Sequence, residues 1–191
     1  MRFLHRHGFG IQSPWAYKLV TNVLFCKSNY YAFESLKHQF PKNQKRNKQL
    51  FRLVNALKPT DAVIITDEKN IYAAEAAKAY ISAADKSIPV TTFNAVDEQS
   101  TPETLNQIFP FQRKISLLYF CSSNVPKSLL GWLNENHTDE KSILITDKNR
   151  LRKTSFWKQV LLEPSATSTF DLGSRGIVFF DPKRIKQNYK L

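Results

Sequence analysis

Asp61–Ala84, DAVIITDEKNIYAAEAAKAYISAA, decides the fold. Ala62–Thr66 is a short apolar, β-branched run, the composition of a strand buried on both faces. Ile71–Ala84 is rich in alanine and free of glycine and proline, so it reads as a helix. Between them lies the crossing Thr66-Asp67-Glu68-Lys69-Asn70. In an open α/β sheet, ligands bind beside the carboxyl ends of the strands. This crossing has that place in the chain, yet it contains no glycine.

Downstream the strand–helix alternation continues. Ile88–Phe93 reads as a second strand, with Pro89 tolerated at its start or at an edge. Ser100-Thr101-Pro102-Glu103 is a helix start with capping-box spacing. Lys114–Phe120 (KISLLYF) is a third strand, 126–136 a helix, Ser142–Thr146 (SILIT) a fourth strand and 150–162 a helix. Thr167–Leu172 and Ile177–Phe180 flank Gly173-Ser174-Arg175-Gly176, the pattern of a β-hairpin with a glycine-bearing loop. Alternating strands and helices imply a mostly parallel sheet with helices on both faces. The closing hairpin adds antiparallel strands to it. The fold class is therefore α/β and Rossmann-like.

Upstream the pattern is helical. Residues 1–13 form an irregular lead-in with Gly8 and Gly10. Ser13-Pro14 pairs a hydroxyl N-cap with proline at the first helical position, and the helix runs to about Cys26. Tyr30, Tyr31 and Phe33 open a second helix that stops near Pro41. Lys42–Lys58 is a third, with Leu50, Val54 and Leu57 along one face and the basic residues on the other. The domain reading is a helical extension over 1–60 followed by a compact α/β domain over 61–191.

The 191 residues suit a globular protein, with 42% hydrophobic and 23% charged residues. No apolar run is long enough to cross a membrane. The basic start is interrupted by Gly, Gln, Ser and Pro, so it lacks the apolar core of a signal peptide. Cys26 and Cys121 are too few for a disulfide framework or a four-ligand zinc site. Reduced cysteines and a cytoplasmic location follow as expectations.

The net charge of +12 is uneven. Residues 1–60 hold 11 Lys/Arg against one acid, 61–145 hold 7 against 11, and 146–191 hold 10 against 4. Basic ends are either a nucleic-acid footprint or solvated helix faces.

Three pieces of the chain resemble a known family. His7-Gly8-Phe9-Gly10-Ile11-Gln12-Ser13-Pro14 is similar to an HGFG-x-HSP opening. Leu50-Phe51-Arg52-Leu53-Val54-Asn55 resembles the helix that enters the first strand. Asp171-Leu172 through Gly176-Ile177-Val178-Phe179-Phe180 resembles the terminal hairpin. The family is that of bacterial class I S-adenosylmethionine-dependent methyltransferases, O-methyltransferase-like, with an N-terminal helical extension.

The resemblance implies a site on which this chain departs from the family. The family's acidic residue and glycine-rich turn, like E-x-G-x-x-x-G, fall on Ile64, Thr66 and Asn70. No glycine occurs from Ile11 through Leu130, so no displaced loop replaces it. The ribose-binding acid of the next strand falls on Asn94, which lacks the charge. The following helix and strand are absent or shortened, because Asn94 leads directly to Ser100. Where metal-dependent members carry acids, this chain has Cys121-Ser122 and Asp147-Lys148. One carboxylate is too few for magnesium or calcium, so no metal is expected.

The implied cofactor positions are thus Thr66, Asp67, Asn70, Asn94 and Asp147, with no catalytic residue nominated. Asp67 and Glu68 are either polar groups of a site or a solvated loop. Asp147 is either functional or the cap of the next helix. His5 and His7 either bind a transition metal with a third ligand or pack locally. Cys121 has no base at a recognisable spacing, so a small buried side chain is its better reading.

The leading functional expectation is a methyltransferase-like pseudoenzyme or binding scaffold, dimeric through its N-terminal helices. The first alternative is an active transferase that holds S-adenosylmethionine through a modified loop. The second is a nucleic-acid-binding module using the basic residues of 37–58 and 148–158.

Overall fold

The structure, a computed structural model, describes residues 8–94, 102–108, 114–121, 125–126, 128–148 and 151–191. The expectations for His5, His7, the Ser100 capping residue and Ser122 fall outside them. The chain divides into two compact units. One comprises Met1–Lys58, Glu75–Ile88 and Leu191, and the other Pro59–Ala74 and Pro89–Lys190.

The first unit is helical. Helix α1, Pro14–Leu19, starts as its sequence requires: Ser13 accepts a hydrogen bond from the Ala16 amide at 3.3 Å, with proline in the first turn. It widens into a π-helical turn, Val20–Leu24. Helix α2 is Ala32–Gln39 and helix α3 is Gln44–Leu57. Left-handed residues bracket α3, Asn43 at φ 56° and Lys58 at φ 49°. The Lys58 amide closes the helix on the Val54 carbonyl at 2.9 Å.

Packing in this unit follows the aromatic residues. Phe33 lies 4.9 Å from Phe51 edge-on, and Tyr30 lies 4.8 Å from Phe51. Tyr80, on helix α4 (Ile71–Ala84), joins them and donates its hydroxyl to Gln44 Oε1 at 3.2 Å. Two long polar side chains of α3 turn inward. Gln49 Nε2 donates to the Leu24 carbonyl at 2.9 Å and Arg52 Nε to the Val23 carbonyl at 2.8 Å. Both satisfy carbonyls at the end of the π-helical turn that have no partner further along the helix.

The second unit is built on a seven-stranded sheet in the order β2-β1-β3-β4-β6-β5-β7. The strands are β1 Ala62–Thr66, β2 Val90–Asn94, β3 Leu117–Phe120, β4 Ile143–Asp147, β5 Ser168–Asp171, β6 Arg175–Phe179 and β7 Gln187–Lys190. Strands β2, β1, β3 and β4 run parallel, and β6 pairs antiparallel with both β4 and β5. The α/β, Rossmann-like sheet with an antiparallel C-terminal hairpin is present as the sequence implies. Among the described residues, no strand pairs with the outer edge of β2.

Two features of the hairpin differ from the sequence reading. Arg175 lies in β6 rather than in the loop, and the turn narrows to Leu172, Gly173 at φ 91° and Ser174. A further strand, β7, pairs parallel with β5. Its QNYK sequence is polar and half exposed, so it has no apolar signal. Pairing and the stacking of Tyr189 on Phe170, 4.8 Å between ring centres, hold it in place.

Val63, Ile65, Leu118, Phe120, Leu144 and Val178 form one alternating face of the sheet. They pack with residues of α5 (Pro102–Ile108), α6 (Leu129–Trp132) and α7 (Ser155–Leu162), including Leu105, Trp132 and Trp157. The other alternation, Ile64, Tyr119, Ile145 and Ile177, is buried as well. That double burial explains why these strands read as continuous apolar runs. Gly176 continues the Val178 face, and a Cβ there would come within 2.4 Å of the Trp157 ring and 2.7 Å of Leu151. Gly176→Ala is therefore expected to cost about 1–3 kcal/mol by overpacking. A urea midpoint unchanged from the parent would show that the Trp157 ring shifts freely.

Candidate functional site

The parallel strands end together at Thr66, Asn94, Phe120 and Asp147, the side of the sheet where α/β proteins place ligands. Thr66 and Asn94 are register partners across β1 and β2. Thr66 is buried, and its Oγ1 donates to the Asp67 carbonyl at 3.2 Å.

The crossing after β1 leaves the strand through an extended Asp67, makes a single 3₁₀ turn over Glu68–Asn70 and enters α4 directly. Asp67 and Asn70 hold each other. Asn70 Nδ2 donates to Asp67 Oδ1 at 2.6 Å, and the Asn70 amide donates to the Asp67 carbonyl at 2.9 Å. Glu68 and Lys69 point into solvent. An Asp whose carboxylate and carbonyl both accept from a residue three positions on is a local turn device, and it spends polar capacity that a ligand would otherwise use.

Cys121 follows β3. Its amide and its Sγ both donate to the Ile65 carbonyl, at 2.9 and 3.2 Å. Burial pushes its thiol up to about 11, against a lowering hydrogen bond with Thr66. A thiol held protonated in this way is a poor nucleophile at neutral pH, which agrees with its reading as a small buried side chain. Cys26 lies in different surroundings. It is half-buried, and its hydrogen bonds with Ser28 lower its thiol.

Asp147 at the end of β4 is engaged by side chains of two neighbouring strands. Register places it directly opposite Arg175. Arg175 Nε donates to Oδ1 and Nη2 to Oδ2, each at 2.7 Å, a bidentate pair. The Tyr119 hydroxyl donates to Oδ2 at 2.6 Å, and Arg175 Nη2 reaches that hydroxyl at 3.4 Å. The Arg175 side chain is 1% exposed and that of Asp147 10%. Burial, and then the charge of Asp147, hold the Tyr119 phenol well above its ordinary value. Burial alone would lower Arg175, but the facing carboxylate outweighs it and the net direction is upward. Tyr119, Asp147 and Arg175 therefore form one buried polar cluster.

Neither Tyr119 nor Arg175 is apparent as a partner of Asp147 in the linear sequence. A usable signal exists: an acid ends one apolar strand, and an Arg between glycine-flanked turn residues starts an antiparallel one. A second ion pair in the same unit joins Arg152 to Asp171 beside the hairpin turn, where Asp171 Oδ1 also accepts the Gly173 amide at 2.7 Å. Among the described residues, no three His, Cys, Asp or Glu side chains gather in a group suited to a metal ion. No helix among them is long and apolar enough to cross a membrane.

No protein-family model matches the chain, and no curated protein matches its sequence. Among solved structures, it is similar to the O-methyltransferase from Bacillus cereus determined in complex with SAH. The identity is 13%, with 85% of this chain and 96% of that one covered, at a TM-score of 0.47. It is similar to the SAH-bound Podospora anserina methyltransferase PaMTH1 at 10% identity, covering 88% and 96%, with a TM-score of 0.49. The O-methyltransferase TomG from Streptomyces achromogenes, solved with SAM, is 8% identical over 86% and 94%, at 0.45. The fold assignment rests on the strand order and directions described above.

Asp147→Asn leaves the Arg175 charge buried without its counter-ion, at an expected cost of about 3–5 kcal/mol. Chemical denaturation should show most of that loss recovered in the double variant Asp147→Leu, Arg175→Met. A single variant as stable as the parent would mean that water reaches the cluster.

The two thiols should differ in alkylation. With iodoacetamide near neutral pH, site-resolved mass spectrometry should find Cys26 modified well before Cys121. The folded Cys121 thiol lies above its ordinary value of 9.0, so the unfolded chain ionises first. Its contribution to stability is fully present below that value and is lost as pH rises through about 11.

Proposed function

We propose that this protein uses a methyltransferase-type α/β framework as a non-catalytic scaffold whose S-adenosylmethionine site is degenerate. The observation that carries the reading is the engagement of the polar groups at the carboxyl ends of β1 and β4. Asp67 and Asn70 bond each other, and both carboxylate oxygens of Asp147 are taken by Arg175, with Tyr119 adding to one.

A class I site brings backbone N–H groups close to the methionine portion of the cofactor, which requires positions without a Cβ. Thr66 and Asn70 stand at those positions, and both carry side chains committed locally. Strand β2 ends on Asn94, which carries an uncharged amide where the family has an acid. A positively charged sulfonium has no uncommitted carboxylate to face among Asp67 and Asp147. The residues do not fit the group, and no methyl-transfer step is derived from them.

Calorimetric titration of the full chain with S-adenosylmethionine tests the reading. The expected result is no saturable heat up to about 1 mM, an affinity no better than roughly −4 kcal/mol. A dissociation constant near or below about 10 μM would overturn it and restore an active transferase with a modified loop.

A further inference from the structure

The helical unit contains a cavity that the methyltransferase-type sheet does not explain. Its volume is about 760 Å³, within the range of about 300–1,000 Å³ typical of small-molecule sites. Its wall is drawn from α1 with its π-helical turn, from residues 25–29 and from the start and middle of α3. The charge of that wall is one-sided. Lys27, Lys45, Lys48 and Arg52 all line the cavity, and among the described residues no Asp or Glu does. The single acid of residues 1–60, Glu34, lies instead against His38 at 3.6 Å.

Arg52 is the built element of this wall. The residue is only 8% exposed, and it sits on the middle of a 14-residue helix. One of its five N–H donors, on Nε, is anchored to the Val23 carbonyl at 2.8 Å. That bond fixes the guanidinium plane. Among the described residues, the other donors have no protein acceptor and the charge has no carboxylate within an ion pair. A largely buried cation without a counter-charge is unfavourable, and burial accordingly pulls the Arg52 pKa down. An anion in the cavity would relieve this cost and take up the donor fork.

The remaining residues suggest what sort of anion. Lys27 and Lys45 are exposed at the rim, where they would meet a second or third anionic oxygen. Lys48 is half-buried, and its ammonium rests 5.0 Å from the centre of the Phe33 ring, which restricts its position. The wall also includes Leu24, Phe25 and Tyr17, so an apolar body would be accommodated beside the charged end. Several cations converging on one concave volume differ from a basic stripe spread along a helix face, the footprint of a nucleic-acid backbone.

We propose that this cavity is a binding site for a small organic phosphate, its phosphoryl oxygens held by Arg52, Lys48, Lys45 and Lys27 and its apolar portion lying against Leu24 and Phe25. The fork of Arg52 matches two phosphoryl oxygens, and the lysines act as point charges around the rest. The site lies within the helical unit and does not depend on whether the sheet retains a cofactor.

Phenyl phosphate is a suitable probe, because it joins a dianionic phosphomonoester to an apolar ring. Calorimetric titration of the full chain at low salt should give saturable binding with one site per chain, and phenol should give none. Lys27→Glu and Lys45→Glu alter exposed residues and should keep the parental melting temperature. Each should weaken phenyl phosphate at least about tenfold, as expected for reversing a charge beside a phosphate. Arg52→Lys keeps the charge but loses the planar fork, and in a folded variant it should weaken binding by a similar factor.

Absence of saturable binding below roughly 10 mM would overturn the proposal, since that is weaker than about −3 kcal/mol. So would binding that is indifferent to Lys27→Glu and Lys45→Glu in folded protein. A single-stranded RNA oligonucleotide completes the comparison. RNA binding that phenyl phosphate does not compete, with no phenyl phosphate binding of its own, would replace the small-molecule site by a nucleic-acid surface.

Discussion

The bidentate pair of Arg175 and Asp147 is the constraint on which the sheet's second half depends. It crosses from the last parallel strand to the first antiparallel one, with Tyr119 reaching in from β3. Three strands are thereby tied by side chains as well as by their backbone ladders. A buried ion pair of this kind contributes little net stability compared with an apolar replacement, but it is intolerant of losing one member. Its effect is on register: only one alignment of β6 against β4 places Arg175 opposite Asp147. The same alignment puts Gly176 against Trp157, where no larger residue fits without movement.

This arrangement also determines what the carboxyl edge of the sheet has to offer. In an open α/β sheet that edge is the usual place for ligand chemistry. Here the described polar groups are turned on one another. Asp147 is occupied by Arg175, Asp67 by Asn70, and the Cys121 thiol by the Ile65 carbonyl. The helical unit shows the opposite economy. Arg52 is fixed by one hydrogen bond and keeps the rest of its donors, and three lysines stand around the same volume.

Much of the fold is legible in the linear chain because its signals are local. Ser13-Pro14 starts a helix, since a hydroxyl cap and a proline ring act within one turn. Ala62–Thr66, Lys114–Phe120 and Ser142–Thr146 read as strands, since burial on both faces demands continuous apolar sequence. Strand β7 was not legible, because QNYK is an edge strand that owes its form to β5 and to the Phe170 ring. Nor was the π-helical widening after Leu19, where Gln49 and Arg52 of a distant helix supply the partners of Val23 and Leu24.

The candidate site divides in the same way. The sequence alone determined that the crossing after β1 lacks glycine, because composition is a property of the chain and no folding can add a residue without a Cβ. It also determined the strand ends at which Thr66, Asn94 and Asp147 stand. Only the tertiary structure decided which side chains Asp147 meets. Arg175 lies 28 positions from Asp147 and 56 from Tyr119. Their meeting depends on strand order and register, which arise from backbone pairing across the sheet. Local periodicity reports whether a segment is buried, but the partner of a buried charge is chosen by the whole fold.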